Sequence, residues 1–224
     1  MAIKTKAGQG QALFATELDN NFSSLHEMVR GTGAPVKVAL DSVTPDWGWR
    51  DLIGSVRTDL ATTQATPATY IGGIRQPLFS IGNEEVREFH LPHDYIPGTN
   101  LFIHAHWSHN STLVTSGSVT WQFEMMSAKG HNTDTFYTPV IINTAQAAST
   151  ERYRHMIAES QCSEPAGVSM LDTDWIDVDG LIVVVCRLTA NTMTGTAKPF
   201  LHSFDIHYQS SNRATKNKAP NFYA

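Results

Sequence analysis

The sequence predicts a mainly β protein, with a single jelly-roll or β-sandwich domain preceded by a short N-terminal α-helix. Two observations predict the sandwich: several short segments alternate apolar and polar residues, and turn signals such as PGTN, TSGS and MTGTAKP separate them. A third predicts the helix, because one segment near the N-terminus has helical rather than alternating spacing. No helical pattern of comparable quality lies between the alternating segments, which favours a sandwich over an α/β fold.

The predicted helix lies in FATELDNNFSSLHEMVRG, where Thr16 can cap the first turn and Gly31 follows the last apolar residue. Its apolar residues are spaced four, three and four apart, the narrow seam of a coiled coil. They are Leu18, Phe22, Leu25 and Val29. Fewer than three heptads are too short to be stable alone in water. The helix therefore packs on its own chain or on helices of identical chains, and the narrow stripe favours the second.

The alternating segments assign side chains to two faces of each predicted strand. In LFIHAHW, the apolar set is Leu101, Ile103, Ala105 and Trp107, whereas His104 and His106 share the opposite face. In SVTWQFEM, the apolar set is Val119, Trp121, Phe123 and Met125. In FLHSFDIHY, alternation predicts one face with Phe200, His202, Phe204, Ile206 and Tyr208. The β-branched run LIVVVCRL indicates a central strand covered on both faces, and STERYRHMIAES is ambiguous between strand and short helix.

These patterns divide the chain into three parts. Residues 1–34 form the helix used for attachment and oligomerisation, residues 35–210 form the sandwich, and residues 211–224 form a polar, basic tail. The tail ends with Phe222 and Tyr223, which are either a fraying end or an anchor on a neighbouring chain.

Composition excludes several classes of function. A net charge of −5 disfavours a protein that grips nucleic acid. No run of 18 apolar residues exists, so no membrane-spanning segment is predicted. Cys162 and Cys186 cannot build a disulfide framework, which favours synthesis in a reducing cytosol. Cys186 lies in an apolar run and is predicted to be a small buried hydrophobe.

Two histidines are the candidate metal ligands. His104 and His106 lie two apart on a predicted strand, so both imidazoles leave the same face and can bind one ion. With Gly98 before them and Gly117 after them, they resemble the first motif of cupin metalloenzymes, although the motif's glutamate position is not filled. The other interpretations are a non-catalytic ion at an oligomer axis and two histidines hydrogen-bonded within a packed sheet.

Two further segments have a functional and a structural interpretation. The aspartates of DTDWIDVDG are dense enough for Ca²⁺, but their spacing is not that of an EF-hand, which favours a solvated turn. Trp47 and Trp49 lie on one side of an extended segment, where they are either a glycan-stacking surface or a clamp onto the body. No phosphate loop, nucleophile elbow or zinc-protease motif is present, and no catalytic residue is assigned.

Two stretches together resemble tailed-bacteriophage virion structural proteins. ALFATELDNNFSSL is similar to the N-terminal attachment element of phage fibre and appendage proteins. FHLPHDYIPGTNLFIHAHWSHN, GSVTWQFEMMSAKG and FDIHYQ resemble a phage virion domain with an LPHDY…HxHW pattern. The residues that match this pattern are His93, Asp94, Pro97, Gly98, His104, His106, Trp107, Trp121 and Glu124. The resemblance implies a virion protein that is homotrimeric.

The sequence therefore predicts a non-enzymatic structural component of a tailed-phage particle, a head fibre or decoration protein or a tail fibre or knob, made in the host cytoplasm. Its expected partners are two copies of itself, other virion proteins (capsid, portal or tail) and a host-surface glycan, with no nucleic acid, membrane or cofactor. The alternative is a cupin-like metal-dependent enzyme that uses His104 and His106.

Overall fold

The computed structural model describes residues 48–222, and this part of the chain is built almost entirely from strands. The strands are β1 Gly48–Ile53, β2 Ser55–Val56, β3 Thr66–Ile71, β4 Ile74–Leu78, β5 Glu84–His90, β6 Phe102–Ser108, β7 Ser118–Ala128, β8 Val140–Ala147, β9 Met156–Gln161, β10 Ser163–Glu164, β11 Leu171–Asp172, β12 Leu181–Asn191 and β13 Phe200–Ser210. The helical elements of this part are three short 3₁₀ turns, Thr58–Leu60, Thr173–Trp175 and Thr194–Thr196. None of its helices is long and apolar enough to cross a membrane.

The strands form two sheets in a sandwich-like arrangement. The first sheet, called the histidine sheet below, has the order β3-β4-β13-β6-β9, and β1 pairs antiparallel with β13. The second sheet has the order β2-β5-β12-β7-β8. The short strands β10 and β11 pair separately and in parallel. The predicted mainly β sandwich is therefore confirmed for the described residues.

The core lies between the inner faces of the two sheets. The predicted inner residues of β6 and β7 are all buried, and Trp107 and Trp121 are fully buried among them. Cys186 on β12 is buried in the same cluster, as predicted. Burial raises the pKa of both cysteine thiols, which keeps them protonated and unreactive.

Two predicted strand faces need correction. Strand β12 is central, between β5 and β7, but its outward residues Val183 and Val185 are only half buried, so it is not covered equally on both faces. Strand β13 does not alternate from end to end, because its register against β6 shifts between Leu201 and Ser203. The shift places Leu201 in the core with Phe204, Ile206 and Tyr208.

This β-bulge turns His202 to the outer face of the histidine sheet, where its ring lies 5.0 Å from that of Tyr70. The buried guanidinium of Arg87 stabilises the bulge by donating hydrogen bonds to Ser203 Oγ (2.9 Å) and to the Phe204 carbonyl (3.1 Å). The alternation of a single segment cannot reveal such a shift, since the bulge is bonded to an arginine more than 100 residues away.

The remaining predictions on the chain have different outcomes. The ambiguous segment before Gln161 is a turn followed by strand β9, with no helix. The tail packs on its own chain through Phe222, which is buried between the rings of His93 and His131 at 5.7 and 5.8 Å. The N-terminal helix, the boundary near residue 35, Trp47 and Tyr223 lie outside the described residues.

Candidate functional site

The candidate site is on the outer face of the histidine sheet. Ile103, Ala105 and Trp107 of β6 point into the core, so His104 and His106 point to the opposite side. The two rings lie 4.6 Å apart, as the sequence predicts for residues two apart on a strand. Strands on both sides of β6 bring further histidines and carboxylates to this face.

Asp205 of β13 joins the two predicted histidines. It lies opposite His104 in the antiparallel register. Asp205 Oδ1 is 2.5 Å from His104 Nε2 and 3.1 Å from His106 Nε2. Burial alone would raise the pKa of Asp205, but the hydrogen bonds from the two imidazoles outweigh it and hold that pKa well below its ordinary value. Asp205 is therefore an ionised acceptor at neutral pH.

The next outward residue of β13, His207, extends the row away from His106. His207 Nε2 is 2.7 Å from Asp51 Oδ1 on the edge strand β1, its direct partner in register. His207 Nδ1 is 2.8 Å from Glu159 Oε2 on β9. The His207 ring also lies 4.1 Å from that of His104. Four strands therefore contribute to one row of polar side chains.

The other end of the row is a stacked pair of imidazoles. The rings of His106 and His155 are 4.9 Å apart and nearly parallel, and His106 Nδ1 is 2.7 Å from His155 Nε2. One nitrogen of this contact must donate and the other accept. Burial, followed by repulsion from His106, lowers the pKa of His155, which favours its neutral form.

His104 occupies the centre of the row and is 1% exposed. Its Nε2 faces Asp205, but its Nδ1 is buried and has no hydrogen-bond partner among the described residues. The nearest carboxylate oxygen, Glu159 Oε2, is 3.8 Å from this nitrogen, which is beyond hydrogen-bonding distance. Buried polar atoms are nearly always satisfied in proteins, so the unpaired Nδ1 is an unusual feature of the site.

Two groups of three side chains have the spacing of metal ligands. In each group, one ligand atom per residue lies within 4.8 Å of the others: His104, His106 and Asp205 form one group, and Asp51, His104 and His207 form the other. Imidazole and carboxylate ligands suit divalent transition metals. In the first group His104 and Asp205 are buried and His106 is partly exposed, whereas the second group reaches solvent through Asp51, whose side chain is 57% exposed.

A second histidine cluster surrounds Asp179, at the end of the predicted aspartate-rich turn. His93 Nε2 and His131 Nε2 lie 2.9 and 2.8 Å from its carboxylate, and His90 Nε2 lies 3.5 Å from it. The desolvation of Asp179 is outweighed by these contacts, so its pKa is lowered. The turn is otherwise a capped loop, in which Asp172 accepts hydrogen bonds from the backbone of Ala166 and Asp174. This supports the turn interpretation over a Ca²⁺ loop.

The other predicted contact residues are only partly described. Trp49 is half exposed, and its ring packs edge-on against Phe102 at 5.4 Å. Trp47 lies outside the described residues, so the predicted tryptophan pair is not observed as a pair. The attachment residues Leu18, Phe22, Leu25 and Val29 also lie outside them.

Sequence reasoning missed five residues of the site: Asp51, His155, Glu159, Asp205 and His207. The signal for two of them was present, because FDIHY places Asp205 and His207 on the face opposite Phe204 and Ile206. The signal did not show which strand lies beside β6. Asp51 and Glu159 come from distant segments, and only the strand pairing brings them here.

The known proteins that this chain resembles do not identify a ligand for the site. No family model matches the chain, and no curated protein matches it. A solved Clostridium thermocellum endo-1,4-beta-D-xylanase fragment, with CBM22 and GH10 modules and bound xylohexaose, aligns at 9% identity and a TM-score of 0.38. That alignment covers 75% of this chain and 30% of the xylanase chain. A family 22 carbohydrate-binding module of the same organism's Xyn10B aligns at 12% identity and a TM-score of 0.34, over 74% of this chain and 87% of the module. Proteins this dissimilar need not share a ligand.

Proposed function

We propose that this chain is a non-enzymatic structural component of a tailed-phage particle, a head fibre or decoration protein or a tail fibre or knob. The supporting observation is that the residues matching the phage virion pattern hold the sandwich together. Most of them fix loops, fill the core or link strands, and His93 and Asp94 also line an open surface pocket beside Arg50 and Tyr208.

Asp94 is the clearest example of this framework role. Its carboxylate accepts hydrogen bonds from Tyr208 and Ser210 at the end of β13, and it pairs with Arg50 of β1 at 3.0 Å. One side chain thus joins the loop after β5 to two strands of the histidine sheet. Gly98, in the same loop, has a φ of +83°, a conformation that favours glycine.

Four other matched residues, Trp107, Trp121, His104 and His106, lie in the core or on the histidine row. Trp107 and Trp121 are fully buried, and Trp107 Nε1 donates to Gln146 Oε1 at 2.6 Å, which links β6 to β8 of the other sheet. His104 and His106 hold β6 to β13 through Asp205. A sequence pattern made of residues that stabilise the fold is expected of a structural protein.

The proposal includes features beyond the described residues. The domain is a jelly roll, residues 1–34 attach it, and the seam of Leu18, Phe22, Leu25 and Val29 assembles three copies. The chain is made in the host cytoplasm and resides in the virion, where the sandwich contacts other virion proteins or the host surface. Burying four apolar side chains per chain would contribute about 6–12 kcal/mol to the stability of the trimer before entropy costs. The conformational entropy lost on ordering the helix offsets most of this gain, so the sandwich must supply part of the trimer interface.

Particle incorporation tests the attachment role. The double substitution Leu18→Asp and Phe22→Asp introduces charge into the seam, and we expect it to abolish incorporation while the sandwich remains folded. The matched control, Asn21→Asp with Ser24→Asp, adds the same charges outside the seam and should leave incorporation intact. Normal incorporation of the seam variant would refute the attachment role.

Light scattering on the purified chain tests the oligomer. Three chains of 24.7 kDa give a mass of about 74 kDa. A monomer at micromolar concentration would contradict the trimer. Cryo-electron microscopy of particles labelled on this chain would then distinguish a head from a tail position.

A second candidate function is a metal-dependent enzyme that uses His104 and His106, and Asp205 favours it by supplying a third donor. A catalytic metal also needs a coordination position open to substrate. His104 is 1% exposed and the Asp205 side chain is 6% exposed, so only His106, with a side chain that is 20% exposed, connects this group to solvent. Azide binding to a Co²⁺-loaded protein, seen as a spectral shift, would establish an open position and support the enzyme.

Glycan contact through Trp49 can be tested separately from incorporation into the particle. Its half-exposed ring is held edge-on by Phe102, a rigid aromatic surface of the kind on which sugars stack. We expect Trp49→Ala to reduce adsorption to host cells if the chain is a receptor-contacting knob. Unchanged adsorption with normal incorporation would favour the head decoration role.

A further inference from the structure

We propose that the outer face of the histidine sheet holds one divalent transition-metal ion, bound by His104 Nδ1, His207 and Asp51, with Glu159 beside it. This site differs from the His104 and His106 pair that the sequence suggests, and it does not depend on the proposed virion role. Its three ligands come from β6, β13 and the edge strand β1.

The contact with Asp205 determines which ring nitrogen of His104 is available to an ion. Its Nε2 lies 2.5 Å from Asp205 Oδ1, a contact in which the ring N–H donates and the carboxylate oxygen accepts. Nε2 therefore carries the proton, and in a neutral imidazole the lone pair is then on Nδ1. That lone pair is buried and unpaired among the described residues.

Asp205 has the position of a carboxylate that orients a metal-bound histidine. Metal-bound histidines usually donate their other ring N–H to a carboxylate, which fixes the tautomer and orients the ring. Asp205 has this relation to His104, so it serves as the orienting carboxylate rather than as a ligand. The arrangement leaves Nδ1 directed away from Asp205 and toward the side of the row that carries Glu159 and His207.

His104, His207 and Asp51 together offer a set of donors for one ion. One donor atom each from His104, His207 and Asp51 lies within 4.8 Å of the other two, close enough for a single ion after small side-chain movements. Glu159 Oε2 is 2.8 Å from His207 Nδ1 and 3.8 Å from His104 Nδ1. Glu159 can therefore orient His207 or complete a four-coordinate shell. Two imidazoles with carboxylates suit Zn²⁺ and its first-row neighbours.

Two exposed carboxylates connect the site to solvent. Asp51 and Glu159 have side chains that are 57% and 42% exposed, so an ion can reach the site from solvent. A bound ion would join β1 to β13 and β6. We therefore expect metal to stabilise the edge strand that follows the N-terminal attachment segment in sequence.

The test is titration of the tag-free, chelator-treated full chain with Zn²⁺, followed by calorimetry, and with Co²⁺, followed by its visible absorption. We expect one ion per chain and a rise in melting temperature of about 5 °C or more at 100 times the dissociation constant. Asp51→Asn and His207→Gln should each weaken binding at least about tenfold. Circular dichroism and tryptophan fluorescence confirm that both variants, which lie at exposed or half-exposed positions, remain folded.

Two control variants separate this site from other histidines. His106→Gln removes a member of the other group of three and should change affinity by less than about threefold, and His90→Gln tests the cluster around Asp179. Loss of binding in His106→Gln with normal binding in Asp51→Asn would move the ion to Asp205 and overturn the proposal. Equal binding in all four variants, or no binding at 1 mM Zn²⁺, would also overturn it.

Discussion

Substitution of Asp205 by asparagine is the sharpest test of what holds the histidine sheet together. Asp205 is buried, and its carboxylate accepts hydrogen bonds from His104 and His106 on the neighbouring strand. Hydrogen bonds to a charged group contribute about 1.5–3 kcal/mol each, and an asparagine oxygen retains part of one of them. Removing one member of a buried charged network costs about 3–5 kcal/mol. We expect Asp205→Asn to lower the free energy of unfolding by about 3 kcal/mol at pH 7.

The difference in unfolding free energy between the protein and Asp205→Asn should also depend on pH, which a loss of packing alone would not produce. The folded-state pKa of Asp205 lies below its ordinary value of about 3.9. Its contribution to stability is therefore fully present above about pH 4 and is lost as pH falls toward the lowered folded pKa. The asparagine variant has no such carboxyl group. The difference in unfolding free energy between the two proteins should therefore shrink below about pH 4.

Urea unfolding followed by the fluorescence of the buried tryptophans measures both quantities. Asp174→Asn is the matched control, since Asp174 is exposed and its carboxylate takes no part in the network. The control should leave the unfolding midpoint unchanged. A loss below about 1 kcal/mol for Asp205→Asn, or a difference that is constant from pH 7 to pH 3, would refute the reasoning.

Three further predictions use matched pairs or a local readout. Trp107→Phe should destabilise the protein by about 1 kcal/mol more than Trp121→Phe in urea unfolding, because only Trp107 Nε1 has a hydrogen-bond partner within the described residues; equal losses would count against this. Gly117→Ala should cost at least about 3 kcal/mol by the same assay, since φ is +110° and the new Cβ would lie 2.4 Å from a backbone oxygen. Gly82→Ala, with φ +89° and open space, should cost only about 1 kcal/mol, and a reversed order would contradict the steric argument. Phe222→Ala should speed trypsin cleavage of the tail about tenfold with little change in melting temperature, whereas unchanged cleavage would mean that its packing does not hold the tail.

The sequence alone determined which residues of β6 and β7 form the core. Alternation over seven residues in LFIHAHW and eight in SVTWQFEM identified Trp107, Trp121 and their neighbours, because a strand buried on one face places its apolar side chains on that face. The same local rule placed His104 and His106 on the other face. Such patterns can be read from one segment, since they require no knowledge of which strand lies beside it.

The tertiary structure alone decided what those histidines contact. Asp205 meets His104 because β13 pairs with β6 across about 100 residues of chain, and Asp51 meets His207 because β1 pairs with β13 at the sheet edge. The bulge at Leu201 also receives hydrogen bonds from Arg87 of the opposite sheet. Strand order and register are set by the summed packing of both sheets, so no single segment encodes them. Local sequence therefore assigned the faces of the strands, and only the fold assembled the site.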